Sequence, residues 1–311
     1  MRRLAIILLL TVLLMGCSQS EQPEPGYSQS GQLEKLRVGI LPIEDSLPIV
    51  VADEQGFFER NGLDVEVIQF SSAVERDAAL TAGEVDAVVT DPLAVILLRD
   101  KGYDVKIASL CLGKTPKEGV FAILASPNSE IETVEDLNGK EIAVSLNTII
   151  EYALDVMLSE YNVSYTKVSI PKIPVRMQAL LNGNIEVAVL PEPLASYAVS
   201  KGAKLILSDA MLNESITQTV IVFRGDVEKE KVQKFLEAYR EAVKEINSNK
   251  EKYREKFIEI ARVPEDIAGS YPIPDYPEPQ QLPKEYYDRY LEWAIQRGLI
   301  EKDVPYEEAI I

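Results

Sequence analysis

The chain has 311 residues, 46% of them hydrophobic, which is enough to bury two ordinary cores. A formal net charge of −18 leaves no broad basic surface and argues against a nucleic-acid partner. With no histidine and two cysteines, the chain has none of the histidine-based catalytic or metal-binding arrangements.

Residues 1–16 carry Arg2 and Arg3, an apolar run over 4–14, and then Leu14-Met15-Gly16 before Cys17. The run is short for a membrane span and has the n-region and h-region of an export signal. Its ending resembles a bacterial lipobox, which implies cleavage before Cys17 and a lipid on that thiol; an ordinary signal peptide or an N-terminal anchor helix is the alternative. Loss of Arg2 and Arg3 makes the mature chain more acidic. Residues 17–34, rich in Ser, Gln, Pro and Glu, read as a flexible tether. With Cys17 lipidated, Cys111 stands alone and no intrachain disulfide forms.

A continuous apolar strand at 36–41 leads through Pro42-Ile43-Glu44-Asp45-Ser46 into a helical pattern over 47–60, ended by Asn61-Gly62. An alternating strand follows at 64–70, then a helix at 73–82 opened by a Ser72/Glu75 capping box, a strand at 85–90, a helix at 92–101 and a strand at 104–110. This βαβαβαβ order predicts a mostly parallel sheet covered by helices. After a β run at 119–125 the pattern restarts, with a short helix at 134–137, a strand at 141–145 and a helix at 148–160 capped by Thr148 with Glu151. A strand at 166–170, helix 175–181, strand 186–190, helix 193–200 and strand 203–207 complete a second unit. The run at 218–223 matches 119–125 in character, and the two are read as crossover strands joining two lobes. Strand signals then stop. Amphipathic helices are expected at 229–247, 251–261 and 284–297, the last carrying Trp293. The proline-rich stretch 270–283 is read as an irregular strap packed by Tyr271 and Tyr276. These helices have no sheet of their own and are expected to pack on the first lobe. The expected division is 35–122 and 218–311 for the first lobe and 123–217 for the second.

The chain also repeats itself. Residues 79–102 (ALTAGEVDAVVTDPLAVILLRDKG) and 179–202 (ALLNGNIEVAVLPEPLASYAVSKG) share Ala-Leu, a glycine, an aliphatic-acid pair, a β run, an acid-Pro-Leu-Ala turn and a closing Lys-Gly. Two copies of a whole helix-strand-turn-helix mark two similar lobes rather than a solenoid. In each, an acid (Asp91, Glu192) sits between a buried strand and a helix that begins with proline. In open α/β sheets ligands bind at that place.

The stretch LPIEDSLPIVVADEQGFFERNGLDVEVIQF, the repeated pair and VEDLNGKEIAVS resemble the substrate-binding proteins of bacterial ABC importers, in the branch that handles nitrate, sulfonates, taurine and thiamine-precursor pyrimidines. The resemblance spans residues 36–311. It implies two Rossmann-like lobes of the periplasmic-binding-protein type II fold on a two-strand hinge, closing on a small solute. It also implies an ABC permease with its ATPase as partners. The chain is then expected to be a monomer outside the cytoplasm, held to the membrane through Cys17, with no cofactor and no metal.

The resemblance places solute contacts in the loops holding Asp45, Ser46, Ser71, Ser72 and Asp91 of the first lobe and Ser145, Asn147, Thr148 and Glu192 of the second. Helix capping accounts equally well for Ser46, Ser72, Thr148 and Asp91, whereas Glu is a poor N-cap and has the length to reach into a cleft. Arg76 and Arg176 either reach an anionic group or are solvated or ion-paired. Tyr152 and Tyr197 are candidate stacking partners. Helix N-termini favour anions, but Asp45, Asp91 and Glu192 would surround an anion with like charge. The expected solute is therefore a nitrogen-bearing heterocycle such as an aminopyrimidine, with a sulfonate, taurine or nitrate as the alternative. Enzymes of pyrimidine formation or the menaquinone pathway share the fold but depend on His or on a tight Cys cluster, which this chain lacks.

Overall fold

The structure is a computed structural model that describes residues 33–311; the signal segment, Cys17 and the tether up to residue 32 lie outside the described residues. Among the described residues ten strands are formed: β1 (Glu34–Ile40), β2 (Leu63–Gln69), β3 (Ala87–Thr90), β4 (Val105–Leu110), β5 (Phe121–Ala125), β6 (Lys140–Val144), β7 (Tyr165–Ser169), β8 (Val187–Pro191), β9 (Lys204–Ser208) and β10 (Val220–Arg224). They build two five-stranded sheets, ordered β2-β1-β3-β10-β4 and β7-β6-β8-β5-β9. The two orders are one pattern used twice. In each, a single strand runs against the rest: β10 lies antiparallel to β3 and β4, and β5 antiparallel to β8 and β9.

The strands read as unbroken apolar runs because both faces of each sheet are covered. Ala87 and Val89 of β3 join the core beneath the helix Lys229–Ser248, while Val88 between them joins the core beneath Lys284–Gln296. β8 alternates in the same way, with Val187 and Val189 on one face and Ala188 and Leu190 on the other. The long helix buries Val232, Phe235, Tyr239, Val243 and Ile246 at three- and four-residue steps. Phe235 lies between Phe58 and Phe223, with ring centroids 5.0 and 5.4 Å away. The C-terminal helices thus pack on the first lobe, as their amphipathic pattern implies. The strap carries Tyr271 and Tyr276 inward, both buried.

The repeat is matched bond for bond. Gly83 and Gly183 both adopt left-handed φ, at 74° and 71°. The N–H groups of Glu84 and Val85 donate to Ala79 O, and those of Asn184 and Ile185 donate to Ala179 O. Arg76 Nη1 donates to Val89 O at 2.9 Å, and Arg176 Nε to Val189 O at 2.8 Å. The paired acids at the strand starts are structural: Asp86 accepts from Arg37, and Glu186 from Lys140 and Ser129.

Two local readings change. The helix expected over 47–60 breaks after Glu54, because Gly56 takes φ 66° and starts a separate turn, Phe57–Arg60. β5 lies whole in the second sheet and β10 whole in the first, so the crossings themselves are the loops before them. There Cys111 N donates to Thr219 O at 2.8 Å and Thr219 N to Leu112 O at 3.0 Å. Gly113 sits at this crossing with φ 92°, and a Cβ on it would stand 2.1 Å from Thr217 O. Only glycine lets the two segments approach so closely.

Candidate functional site

The loops after the C-terminal ends of β1, β3, β8 and β9 bring five acids to the seam between the lobes: Glu44, Asp45, Asp91, Glu192 and Asp209. Glu44, Asp45 and Asp209 are buried; Asp91 and Glu192 are half-buried. Burial raises every one of these carboxyls, Glu44 to about 8, Asp45 and Asp91 to about 6, and Asp209 to about 7, with Glu192 also raised. Glu192 adds to this across the seam, as a negative neighbour that raises Glu44 and Asp209 further. The positive charge that opposes them comes from Arg76, which acts on Asp45 and Asp91.

Each expected residue can now be placed. Asp45 lies in the turn after β1; its Oδ2 is buried with no protein hydrogen-bond partner, and the Thr219 hydroxyl supports the carboxylate. Asp91 caps its helix through Oδ1, accepting from Ala94 N at 2.9 Å, so capping and a place at the seam coexist. Glu192 stands one residue before Pro193, the N-cap of the helix Leu194–Ser200, so it is not itself the cap, yet it is held at this helix start. Its carboxylate accepts from Ser196 N at 3.1 Å and from Ser196 Oγ at 2.9 Å, because the longer side chain reaches forward over the first turn. It also meets the Tyr271 hydroxyl of the first lobe.

The serines and threonine are held by local bonds. Ser46 Oγ donates to Leu41 O at 2.7 Å and is fully buried. Ser72 caps through Glu75 N, but the Glu75 carboxylate closes on exposed Ser71 rather than on Ser72 N, so the expected capping box is displaced by one residue. Thr148 caps through Ile150 N and donates to Ser145 O. Asn147 is exposed, takes left-handed φ 59° and donates its N–H to Glu151. Ser145 is buried, donating to Pro171 O and accepting from Arg176 Nη1 at 2.8 Å.

Arg176 is neither solvated nor ion-paired. It is fully buried, bonded to Val189 O, Ile170 O and Ser145 Oγ, and its Nη2 has no protein partner; desolvation lowers it to about 10. Its counterpart Arg76 is neutralised by Asp77 at 2.7 Å, where the second copy has Met177. Tyr152 is stacked inside the protein, on Tyr290 at 4.2 Å and edge-on to Trp293 at 5.7 Å, with its hydroxyl buried and unpartnered. Tyr197 packs between the cores of the two sheets, under the Lys201 ammonium at 5.2 Å.

Across the seam the lobes are joined by polar pairs. Arg297 Nη2 donates to buried Glu151 at 2.6 Å, Trp293 Nε1 to Asp155 at 3.0 Å, and Lys201 to Asp266 at 2.5 Å. Glu44 and Asp209 were missed by sequence reasoning, although both follow strand ends by the rule that found Asp45 and Asp91. Two surface hollows of about 240 and about 470 Å³ lie elsewhere and are lined by none of the five acids. Among the described residues no group of three or more His, Cys, Asp or Glu is placed to hold a metal.

Two sheets of one topology, joined by paired crossings and bearing polar groups at facing strand ends, define a periplasmic-binding-protein fold. The periplasmic aliphatic sulphonate binding protein SsuA of Escherichia coli superposes with a TM-score of 0.75 at 19% identity, covering 89% of this chain and 92% of that one. Residues 36–261 match the model of the NlpA lipoproteins, and the chain belongs to that family. A Brachyspira hyodysenteriae protein, provisionally named an ABC transporter periplasmic binding protein, is 28% identical over 226 residues, or 68% of this chain and 62% of that protein. A Haemophilus influenzae protein provisionally named for thiamine biosynthesis is 23% identical, covering 85% of this chain and 87% of its own length. The chain is thus related to the solute-binding proteins of ABC transport.

Proposed function

We propose that this chain is the extracytoplasmic, lipid-anchored receptor of an ABC importer, and that it captures, as a monomer, a nitrogen-bearing solute with N–H donors, such as an aminopyrimidine. The observation that carries the choice of solute is Asp45 Oδ2, a buried acceptor without a protein partner in the turn after β1, with four further acids along the same seam. A buried acceptor left unpaired is costly, about 1–3 kcal/mol, and a donor on the solute relieves it. The field of the acids draws in cations and repels anions. The thiamine-biosynthesis name of the Haemophilus relative is in keeping with a pyrimidine.

One observation favours a second reading. Arg176 Nη2 is a buried, unpartnered donor whose guanidinium has no carboxylate on it, which suits a sulfonate or carboxylate end of a solute. The SsuA neighbour is named for sulphonate binding. Native mass spectrometry of the purified chain, followed by thermal-shift assays with aminopyrimidines, taurine, alkanesulfonates and nitrate, separates the two. Stabilisation by an uncharged or cationic heterocycle supports the first reading; stabilisation by sulfonates alone overturns it. The anchor is tested by Cys17→Ser, which should move the protein from the membrane to the soluble fraction.

A further inference from the structure

Tyr271 is wedged between acids of opposite lobes. Its ring stacks on Phe257 at 6.1 Å, and its carbonyl is held by Arg254 Nη1 at 3.0 Å. Its hydroxyl donates to Glu44 of the first lobe, and Glu192 of the second lobe lies against the same hydroxyl. Tyr276 fixes the Glu44 turn by donating to Glu44 O at 2.8 Å. A phenol has one proton to donate, so it bonds one carboxylate. A bond to the second acid needs that acid's own proton, and two charged carboxylates at one hydroxyl repel each other.

We propose that Glu44, Tyr271 and Glu192 form a proton-shared latch, which draws the lobes together at this turn while one of the two carboxyls is protonated and loosens them there when both are charged, leaving the pairs made by Arg297, Trp293 and Lys201 as the remaining ties. The proposal rests on reading the lobes as jaws that close on a solute. The other titratable groups facing the latch are Asp45 beside Glu44 and Asp209 beside Glu192, both acids. The helix Arg254–Ala261 packs against the turn of Glu44, but Arg254 is bonded to Glu251, and Lys256 to Glu54 and Glu259. Lys201, on the helix that follows Glu192, is paired with Asp266. Among the described residues no cation bonds either latch acid. Burial lifts Glu44 from 4.5 to about 8. A raised carboxyl favours the buried, joined state fully below its free value, and that contribution is lost as pH rises through about 8. A solute cation between the same acids takes the place of the proton.

Small-angle scattering of the purified chain, with no solute added, tests the latch at about pH 5 and about pH 9. The wild type should show a larger radius of gyration at the alkaline pH. Tyr271→Phe should lose that shift, and Glu44→Gln, uncharged at both values, should stay compact at both. A wild-type radius that does not change, or a Tyr271→Phe chain that keeps the full shift, overturns the proposal. Thermal-shift assays with an aminopyrimidine and with taurine on the same samples keep the two readings apart. Solute stabilisation without a pH response sinks the latch alone, and a pH response without solute stabilisation sinks the binding assignment.

Discussion

Asp45→Asn is the sharpest single test of the seam. The carboxyl is 5% exposed and is raised from 3.8 to about 6 chiefly by burial, against the opposing pulls of Thr219 and Arg76. A shift of that size corresponds to about 3 kcal/mol. Because the folded value lies above the unfolded one, the associated stability is whole below about pH 4, is lost as pH rises through about 6, and is absent at neutrality. Asparagine keeps the shape and carries no charge, so at about pH 7 the variant should be more stable than the wild type by up to about 3 kcal/mol, or roughly 5–10 °C in melting temperature. The gap should close as the buffer is taken to about pH 4, where Asp45 is neutral too. Differential scanning calorimetry at the two pH values measures it. The same variant should lose solute-induced stabilisation, since Oδ2 no longer offers a charged acceptor. A variant that melts below the wild type at neutral pH, or keeps an equal gap at both pH values, would refute the account of Asp45 as a strained, solute-directed acid.

Phe235→Ala empties the space between Phe58 and Phe223 and should cost about 3–5 kcal/mol in urea unfolding; a loss under about 1 kcal/mol would contradict the packing described. Gly113→Ala drives a Cβ onto Thr217 O from a left-handed backbone and should destabilise by about 2 kcal/mol or more. Gly225→Ala meets the side chain of Asp104, which can turn aside, so its melting temperature should fall less than that of Gly113→Ala. Arg297→Ala removes one of two cations from Glu151, which is fully buried, while Lys167 remains at 2.8 Å. Chemical denaturation should show a loss of about 1–2 kcal/mol, reduced because Arg297 itself is exposed.

Much of this was legible because it is written in local chemistry. The helix Ala73–Ala82 begins and ends where Ser72 and Gly83 place it, and the apolar runs give the strands to within a residue or two. The repeat announced the doubled sheet, since each copy carries its own strand, turn and helix. Long-range pairing was harder to read. Nothing in the string Gly119 to Ala125 says which sheet β5 enters, or that the crossing belongs to the loop around Gly113. Asp91 was found because proline follows it; Asp209, in the equivalent place after β9, is followed by no such mark. Tyr152 shows the other failure: a tyrosine near a helix start suggests a ligand face, while the surface it covers is set by Tyr290 and Trp293, about 140 residues away in the sequence. The contact between Tyr271 and Glu192 joins the strap of one lobe to the turn of the other and had no local signature.

The insertion of β10 between β3 and β4 bears on the order in which the molecule is made. A ribosome delivers β1 to β4 first, but their sheet has a gap in its middle until Val220–Arg224 has emerged. The strands of the other sheet, β5 to β9, arrive as one uninterrupted stretch. The half of the protein synthesised second is therefore the first able to complete itself, and the half synthesised first must wait for it.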